Sequence, residues 1–436
     1  MKNFFLVICL LVCSVSGALG QRLQARFVTS GYAWERQDTI GTTSQHLFGY
    51  QTVQLSLVGA NLSFHTYLQG FNDFAGPLKN SGTMRLYNLY AKWSNIANIA
   101  DISIGRQAVF AGVGTGTIDG GLASLRFLDS KLKLVGYYGM LPALRYKAAL
   151  IDNAADNSMM GGQLVVAPVE FAQASFSYMK KILLPETYLA TRRDSLFNAF
   201  HLEMKPSATA EEYFSGDINL EFRDIVSGYA RFDYDVLLEK NSRMQLFTRI
   251  SPFKNSSAAA LQPFSLTAEY LQRDPRIFYN SIFSVFSFTS LKEYEVGAEY
   301  AFGSSWQVFA KYGSVSYNDA TQNQITVGVN GEHVSASITR DNGDGGELSA
   351  ASLNVGYPLF NNLVTPTVLL GYAHYKLSEY AQLEDALSIA AGAVVRPMRN
   401  LSVDAQAQWI QNTIYNSDMR FFVRVNYFLS HQLGIF

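Results

Sequence analysis

Beyond residue 20 the chain contains no cysteine; its only two, Cys9 and Cys13, sit inside the first apolar run. Disulfide staples, thiol catalysis and thiolate-held metals therefore have no place in the remainder. Charge is scarce as well, at 16% of residues against the usual quarter of a soluble protein. What charge there is balances, with 34 Lys plus Arg against 35 Asp plus Glu. That balance argues against a nucleic-acid partner, which demands an excess of base. After the first apolar run there is no second one, so no later segment is expected to cross a bilayer as a helix. The six histidines are scattered, with no two at helix or hairpin spacing, so neither a metal site nor a cofactor is expected.

The first run itself reads as an address. Lys2 supplies the positive end, Phe4 to Val15 form an apolar core too short to span a membrane, and Ala18-Leu19-Gly20 is a small-x-small cleavage site. Residues 1–20 are expected to be a signal peptide and residues 21–436 one uninterrupted domain, because no linker, low-complexity tract or charge block divides them.

What fills that domain is alternation. In Ala230-Arg231-Phe232-Asp233-Tyr234-Asp235-Val236 apolar and charged residues take turns. Near the end Arg420, Phe422, Arg424 and Asn426 interleave with Phe421, Val423, Val425 and Tyr427. A β-strand sends successive side chains to opposite faces, so each such stretch has one oily and one wet side. Turn residues punctuate the stretches, among them Gly59-Ala60-Asn61, Asp129-Ser130, Pro206-Ser207, Gly303-Ser304 and Asn330-Gly331. Longer connections, including 109–117, 141–160, 181–194 and 252–263, mostly alternate with the short ones. Short turns at one end and longer loops at the other mark an all-β, single transmembrane antiparallel β-barrel without a plug domain. Its strand number should be even; the turns count to about 24, within a range of about 18–24. A β-sandwich would need fewer strands, and a propeller or β-helix would show a fixed repeat that is absent here.

The period assigns the faces. Leu62, Phe64, Leu68, Ala172, Ala174, Phe176, Tyr178, Trp306, Val308, Ala310, Tyr312, Leu401, Val403, Ala405, Ala407 and Trp409 are expected to face lipid. Trp34, Trp93, Trp306 and Trp409 lie near strand ends, as interfacial girdles require. The lumen face is mixed in sign: Glu221, Arg223, Arg231, Asp233, Asp235, Arg243 and Arg249 form one group. Glu293, Glu295 and Glu299 form an acidic stripe with Lys311 beside it, while Arg420 and Arg424 are expected to face Asp404. Tyr50, Tyr67, Tyr229, Phe309 and Phe422 fall on the same wet face, where a ring and a hydroxyl together can hold a sugar.

One stretch carries a motif. Ile104-Gly105-Arg106-Gln107 is expected to close a strand and enter a Gly-rich loop holding Gly112, Gly114 and Gly116. Asp119-Gly120-Gly121 opens the next strand, with Arg126 near its end and Tyr138-Gly139 on the one after. Glycines there would let the loop fold closely against the wall. The spacing is no dinucleotide fingerprint, since no helix follows. This run, confined to Ile104–Gly139, resembles the corresponding region of bacterial alginate-export-like and substrate-specific porin barrels. The resemblance implies an outer-membrane channel and, in the alginate case, an arginine-rich constriction passing a polyanionic sugar. This chain departs from that pattern in its balanced charge and its many lumen acids.

Two His/Ser pairs, His333-Val334-Ser335 and Ser63-Phe64-His65, share a strand face, as rim catalysis would need. Six scattered histidines produce such pairs readily, and no enzyme is expected. The expected function is passive diffusion of small hydrophilic solutes, sugars among the candidates, across a Gram-negative outer membrane. The alternatives are a polysaccharide exporter and a non-conducting structural or adhesion barrel. Expected partners are outer-membrane lipid, the solute and the barrel-assembly machinery that inserts such proteins.

Overall fold

The computed structural model describes residues 21–433 apart from 76–83, 150–152, 186, 194, 275, 277–289, 318–319, 345, 377 and 379. The expected signal peptide lies outside the described residues.

The chain opens with β1 (Gln21–Asp38), β2 (Thr43–Val58), β3 (Leu62–Asp73), β4 (Met84–Ile96), β5 (Ala100–Ala111) and β6 (Gly114–Phe127). Next come β7 (Leu132–Met140), β8 (Ser158–Val169), β9 (Ala172–Leu183), β10 (Tyr188–Arg193), β11 (Ala199–Met204) and β12 (Thr209–Phe222). They are followed by β13 (Val226–Asp235), β14 (Lys240–Ile250), β15 (Phe264–Arg273), β16 (Leu291–Phe302), β17 (Trp306–Tyr317) and β18 (Ala320–Asn330). The last six are β19 (Val334–Gly343), β20 (Gly346–Gly356), β21 (Val364–Lys376), β22 (Glu384–Met398), β23 (Leu401–Gln411) and β24 (Tyr415–Leu433).

Twenty-two of these strands form one antiparallel sheet, and β10 and β11 form a separate two-stranded sheet. The large sheet closes because β1 pairs with β24, from Gln21 opposite Leu433 to Asp38 opposite Tyr415. Closure removes both free edges of the sheet. No α-helix occurs among the described residues, only two short 3-10 turns at Leu144–Tyr146 and Ala259–Leu261. Gln21 and Leu433 lie at one end of the barrel, called here the turn end. Connections 59–61, 97–99, 128–131, 170–171 and 223–225 lie there too. The opposite, loop end carries the long connections 141–157, 184–208 and 274–290. The alternation has exceptions, since 251–263 is a long connection at the turn end.

The wall count of 22 is even and falls inside the range read from the turns. Ala199–Met204 alternates like a wall strand but folds back on Tyr188–Arg193 within the connection between β9 and β12. Periodicity reports two faces and cannot say which sheet a strand joins.

The faces follow the period. On β17, Trp306, Val308 and Tyr312 are exposed outward, and the intervening Gln307, Phe309 and Lys311 point inward. On β13 and β14, Phe232, Met244 and Leu246 face out, and Arg231, Asp233, Arg243 and Arg249 face in. A closed antiparallel barrel with an apolar outer belt and a charged interior is a transmembrane barrel by its physics. Only hydrocarbon outside and water inside match the two surfaces.

Candidate functional site: the lumen and its inward hairpin

Along most of the wall, residues at the expected lumen positions meet across strands. Lys311 Nζ donates to Glu295 Oε1 at 2.7 Å, and Arg249 Nη2 lies 2.8 Å from Glu299 Oε2. Glu293 shares their face on β16. Arg231 Nε donates to Asp233 Oδ1 at 2.8 Å on its own strand, and Arg243 stands opposite Asp233. Glu221 lies on the inward face of β12. Arg424 Nε donates to Asp404 Oδ2 at 2.7 Å.

Three placements differ from expectation. Arg420 does not reach Asp404; it donates to Asp418 Oδ2 at 2.6 Å, and Arg36 holds the same carboxylate at 3.1 Å. Asp418 is buried between the two guanidinium groups, Arg36 opposite it on β1 and Arg420 two residues along its own strand. Arg223 lies beyond the end of β12 in the turn to β13, with its guanidinium 5.0 Å from the Phe222 ring centre, so it sits at the rim and not on the wall. Trp34 points inward opposite Arg420, whereas Trp93 and Trp306 are exposed outward and Trp409 lies on the outward face. In Tyr32-Ala33-Trp34-Glu35-Arg36 both faces carry a polar or aromatic residue, so the period is ambiguous there.

The largest departure concerns the Gly-rich motif. No loop forms: β5 and β6 run on to a tight turn at Gly112 and Val113. Pairing of β5 with β4 ends at Arg106, and pairing of β6 with β7 ends at Asp119. Residues 107–118 therefore pair only with each other, as a tongue that leaves the wall. Three glycines lie side by side where it departs, Gly105 facing Gly120 and Gly120 facing Gly139. Gly105 has φ +128°, and a Cβ there would meet Leu89 O at 2.3 Å. A Cβ on Gly120 would meet Tyr138 O at 2.2 Å. Side chains are excluded from this crease, which lets the strands fold sharply inward.

The tongue lies on the inner wall. Val113 N donates to Ser177 Oγ at 2.9 Å, and Gly112, Gly114 and Gly116 approach Ser177, Tyr137 and Met159. Val109, Ala111, Ile118 and Met159 are completely buried, forming with Val135, Tyr137, Leu141 and Met179 an apolar core among the described residues. Burying each large side chain of this set contributes about 1.5–3 kcal/mol. The tongue's other face looks across the lumen, and there Phe110 is 80% exposed.

Arg106 clamps the crease. Its Nε and Nη2 donate to the two Asp119 carboxylate oxygens, both at 2.6 Å. Nη1 donates to Leu86 O and Lys147 O, and Nη2 to Ala149 O. All five N–H groups of the fork are thereby used. Lys147 and Ala149 belong to the 141–157 connection, so the guanidinium ties that strap across the gap the tongue leaves in the wall. Gln107 is equally engaged, with Ser103 and Gly120 O. Arg126 pairs with Asp101 at 2.8 Å on the turn-end side. Arg106 is thus a structural clamp whose donors are spent on protein, unlike an arginine offered to a passing polyanion.

Two lumen features escaped the sequence reading. Arg276, in a stretch with no assigned role, reaches from the connection after β15 to donate to buried Asp235 Oδ2 at 2.9 Å. A ladder of rings also crosses the inner face of β1, β2 and β3: Trp34 to His46 at 4.9 Å, His46 to Phe48 at 5.4 Å and Phe48 to Phe71 at 5.7 Å. Its signal was the spacing of aromatics at every second residue, legible only once the pairing is known.

His65 is held between Ser56 Oγ at 2.9 Å and Ser63 Oγ at 3.0 Å and stacks on Tyr90. His333 lies in the turn before β19, near Glu332 at 3.8 Å and against the Tyr357 ring. Among the described residues no three His, Cys, Asp or Glu side chains converge on a point that could hold a metal.

These features define the class, an outer-membrane-type β-barrel with a wet lumen narrowed by a piece of its own wall. No protein-family model matches the chain. No curated protein matches it either. Among solved structures it is similar to the P pilus usher (PapC) translocation pore, at 8% identity and a TM-score of 0.47, over 92% of this chain and 99% of that one. It is also similar to OccAB4 of Acinetobacter baumannii, at 8% identity and TM-score 0.45, over 96% and 100% of the two chains. A BenF-like porin of Pseudomonas fluorescens Pf-5 is similar at 10% identity and TM-score 0.43, over 94% and 99%. The assignment of class rests on the barrel's closure and faces.

Proposed function

We propose that the chain is a passive diffusion channel for small hydrophilic solutes in a Gram-negative outer membrane. The observation that carries this is the interior itself: a closed 22-strand wall lined with ion pairs and polar side chains, with a wall hairpin in place of a plug domain. A barrel of that strand number is wide enough to need a plug or an inward element to be selective. The tongue, the 141–157 strap and Arg276 are the inward elements. Solutes would be sorted by the remaining bore and by the mixed-sign lining of Arg231, Arg243, Arg249, Glu293, Glu295, Glu299, Lys311, Asp404, Arg420 and Arg424. Barrel-assembly machinery would be the insertion partner.

The polyanion-exporter alternative needs a continuous basic path. Here Lys311, Arg249 and Arg424 are each neutralised by a carboxylate within 2.8 Å, which disfavours it. Planar-bilayer recording of the refolded barrel tests the proposal. Stable ohmic steps of weak ion preference are expected, rising severalfold when residues 108–117 are replaced by a two-glycine turn. Absence of any conductance in both proteins would favour the closed structural barrel.

A further inference from the structure

The wall that carries the tongue hollows out towards the turn end. A cavity of about 1090 Å³ opens there on the lumen side, a size at the upper end of small-ligand pockets. Its floor is a single row across four strands. Gln173 on β9 faces Asn219 on β12, Asn219 faces Tyr229 on β13, and Tyr229 faces Phe247 on β14. Neighbouring strands lie about 4.8 Å apart, so the row is about 14 Å long. Glu221, one step nearer the rim, Asp129 and Lys131 of the 128–131 turn and Glu170 of the 170–171 turn also line it.

The chemistry of this set is selective. The two carboxamides offer donors and acceptors side by side, and among the described residues neither side chain has a hydrogen-bonding partner in the protein. Both residues are exposed to the lumen. An apolar ligand would cover them and leave those groups unsatisfied, which disfavours it. Three carboxylates, Asp129, Glu170 and Glu221, stand against the single Lys131, so an anion is disfavoured, while carboxylates accept hydrogen bonds from the hydroxyls of a neutral sugar. Tyr229 and Phe247 supply adjoining ring surface. A ligand with hydroxyls along its edge and C–H groups on its face satisfies amides and rings together. A pyranose has that form, and a row of about 14 Å admits two of them end to end.

We infer that this row is a saccharide subsite at the turn end of the lumen, on which a neutral mono- or disaccharide dwells during passage. The inference rests on the channel reading and adds to it a substrate class and a place. The tongue stands over the same sector of the wall, with its tip against Ser177, four residues along β9 from Gln173. Solute passing the tongue is therefore delivered beside the row.

The test uses the whole refolded barrel with maltose as probe and mannitol as the control polyol that has hydroxyls but no ring face. Maltose at millimolar concentration is expected to interrupt the ion current of the wild type, and mannitol to interrupt it far less. With interruption scored against each variant's own open current, Phe247→Ala and Asn219→Ala should weaken it about tenfold, the loss of one well-formed stacking or polar contact. Phe247→Tyr should restore it. An open wild-type channel that ignores maltose, or variants that respond as the wild type does, would overturn the subsite while leaving the channel standing. If the wild type carries no current, the protein shortened at 108–117 decides the channel reading, and calorimetry of the detergent-solubilised barrel with maltose decides the subsite by itself. Saturable heat lost in both alanine variants supports it, and no heat in the wild type overturns it. Heat-modifiable electrophoretic migration verifies that each variant is folded.

Discussion

From β17 to β21 the barrel is a single layer. Val308, Tyr312, Ile325, Val327 and Ile338 face outward, and inside Lys311 meets Glu295 while Thr326 meets Thr339 at 3.1 Å. No apolar side chain described between residues 306 and 376 is buried. From β5 to β9 the same kind of wall carries a second layer, and four of its side chains, Val109, Ala111, Ile118 and Met159, are completely shielded. Both sectors alternate in sequence. The difference is the row of glycines at 105, 120 and 139, which lets two strands leave the wall and lie against their neighbours. A barrel in lipid needs no interior core for its backbone to be satisfied. A core arises only where part of the wall turns inward, and there it narrows the bore.

The comparison can be broken most severely at the crease. Gly105→Val places a branched side chain at φ +128° and at 2.3 Å from Leu89 O, so the strands cannot fold over. Loss of the heat-modifiable folded form is expected on electrophoresis, while valine at Gly313, in the single-layered sector, should leave that form in place. The clamp comes next. Arg106→Leu leaves Asp119 buried without its partner and frees the strap, a loss of about 3–5 kcal/mol. It should appear as a lower urea midpoint for the barrel refolded in vesicles, together with noisy open-channel current. A smaller effect is expected under the tongue, where Ile118→Ala opens a cavity costing about 2–5 kcal/mol, read from the same urea titration. The smallest stability change belongs to the plain sector. Lys311→Ala removes a half-exposed pair worth under about 1 kcal/mol, yet it leaves Glu295 unopposed. Its reversal potential in a salt gradient should move toward cation preference, with the urea midpoint nearly unchanged.

Much of this was legible in the residues. Arg231, Asp233, Glu295 and Lys311 lie inward because charge recurs at every second position, and period two leaves no other wet side. The glycines near 105–120 were read as allowing close approach to the wall, which is their role, but as a loop and not as paired strands. Glycine signals freedom of the backbone and says nothing about how that freedom is used. Arg223 was placed on the wall because the period continues one residue past the strand, and only the turn after Phe222 ends it. Arg276 carried no local signal, since its partner Asp235 is distant in the chain, and the every-second-residue spacing of the aromatics becomes a ladder only once β2 and β3 are paired.

The amino-acid sequence by itself determined a closed antiparallel wall with an apolar outside and a wet inside. Those properties follow from neighbouring residues and a two-residue period, which every strand repeats. Tertiary structure alone decided the number of strands in that wall, the inward fold of residues 107–118 and the burial of Arg106 against Asp119. These depend on which strand pairs with which and where pairing stops, and the free energy of such contacts belongs to residues far apart along the chain.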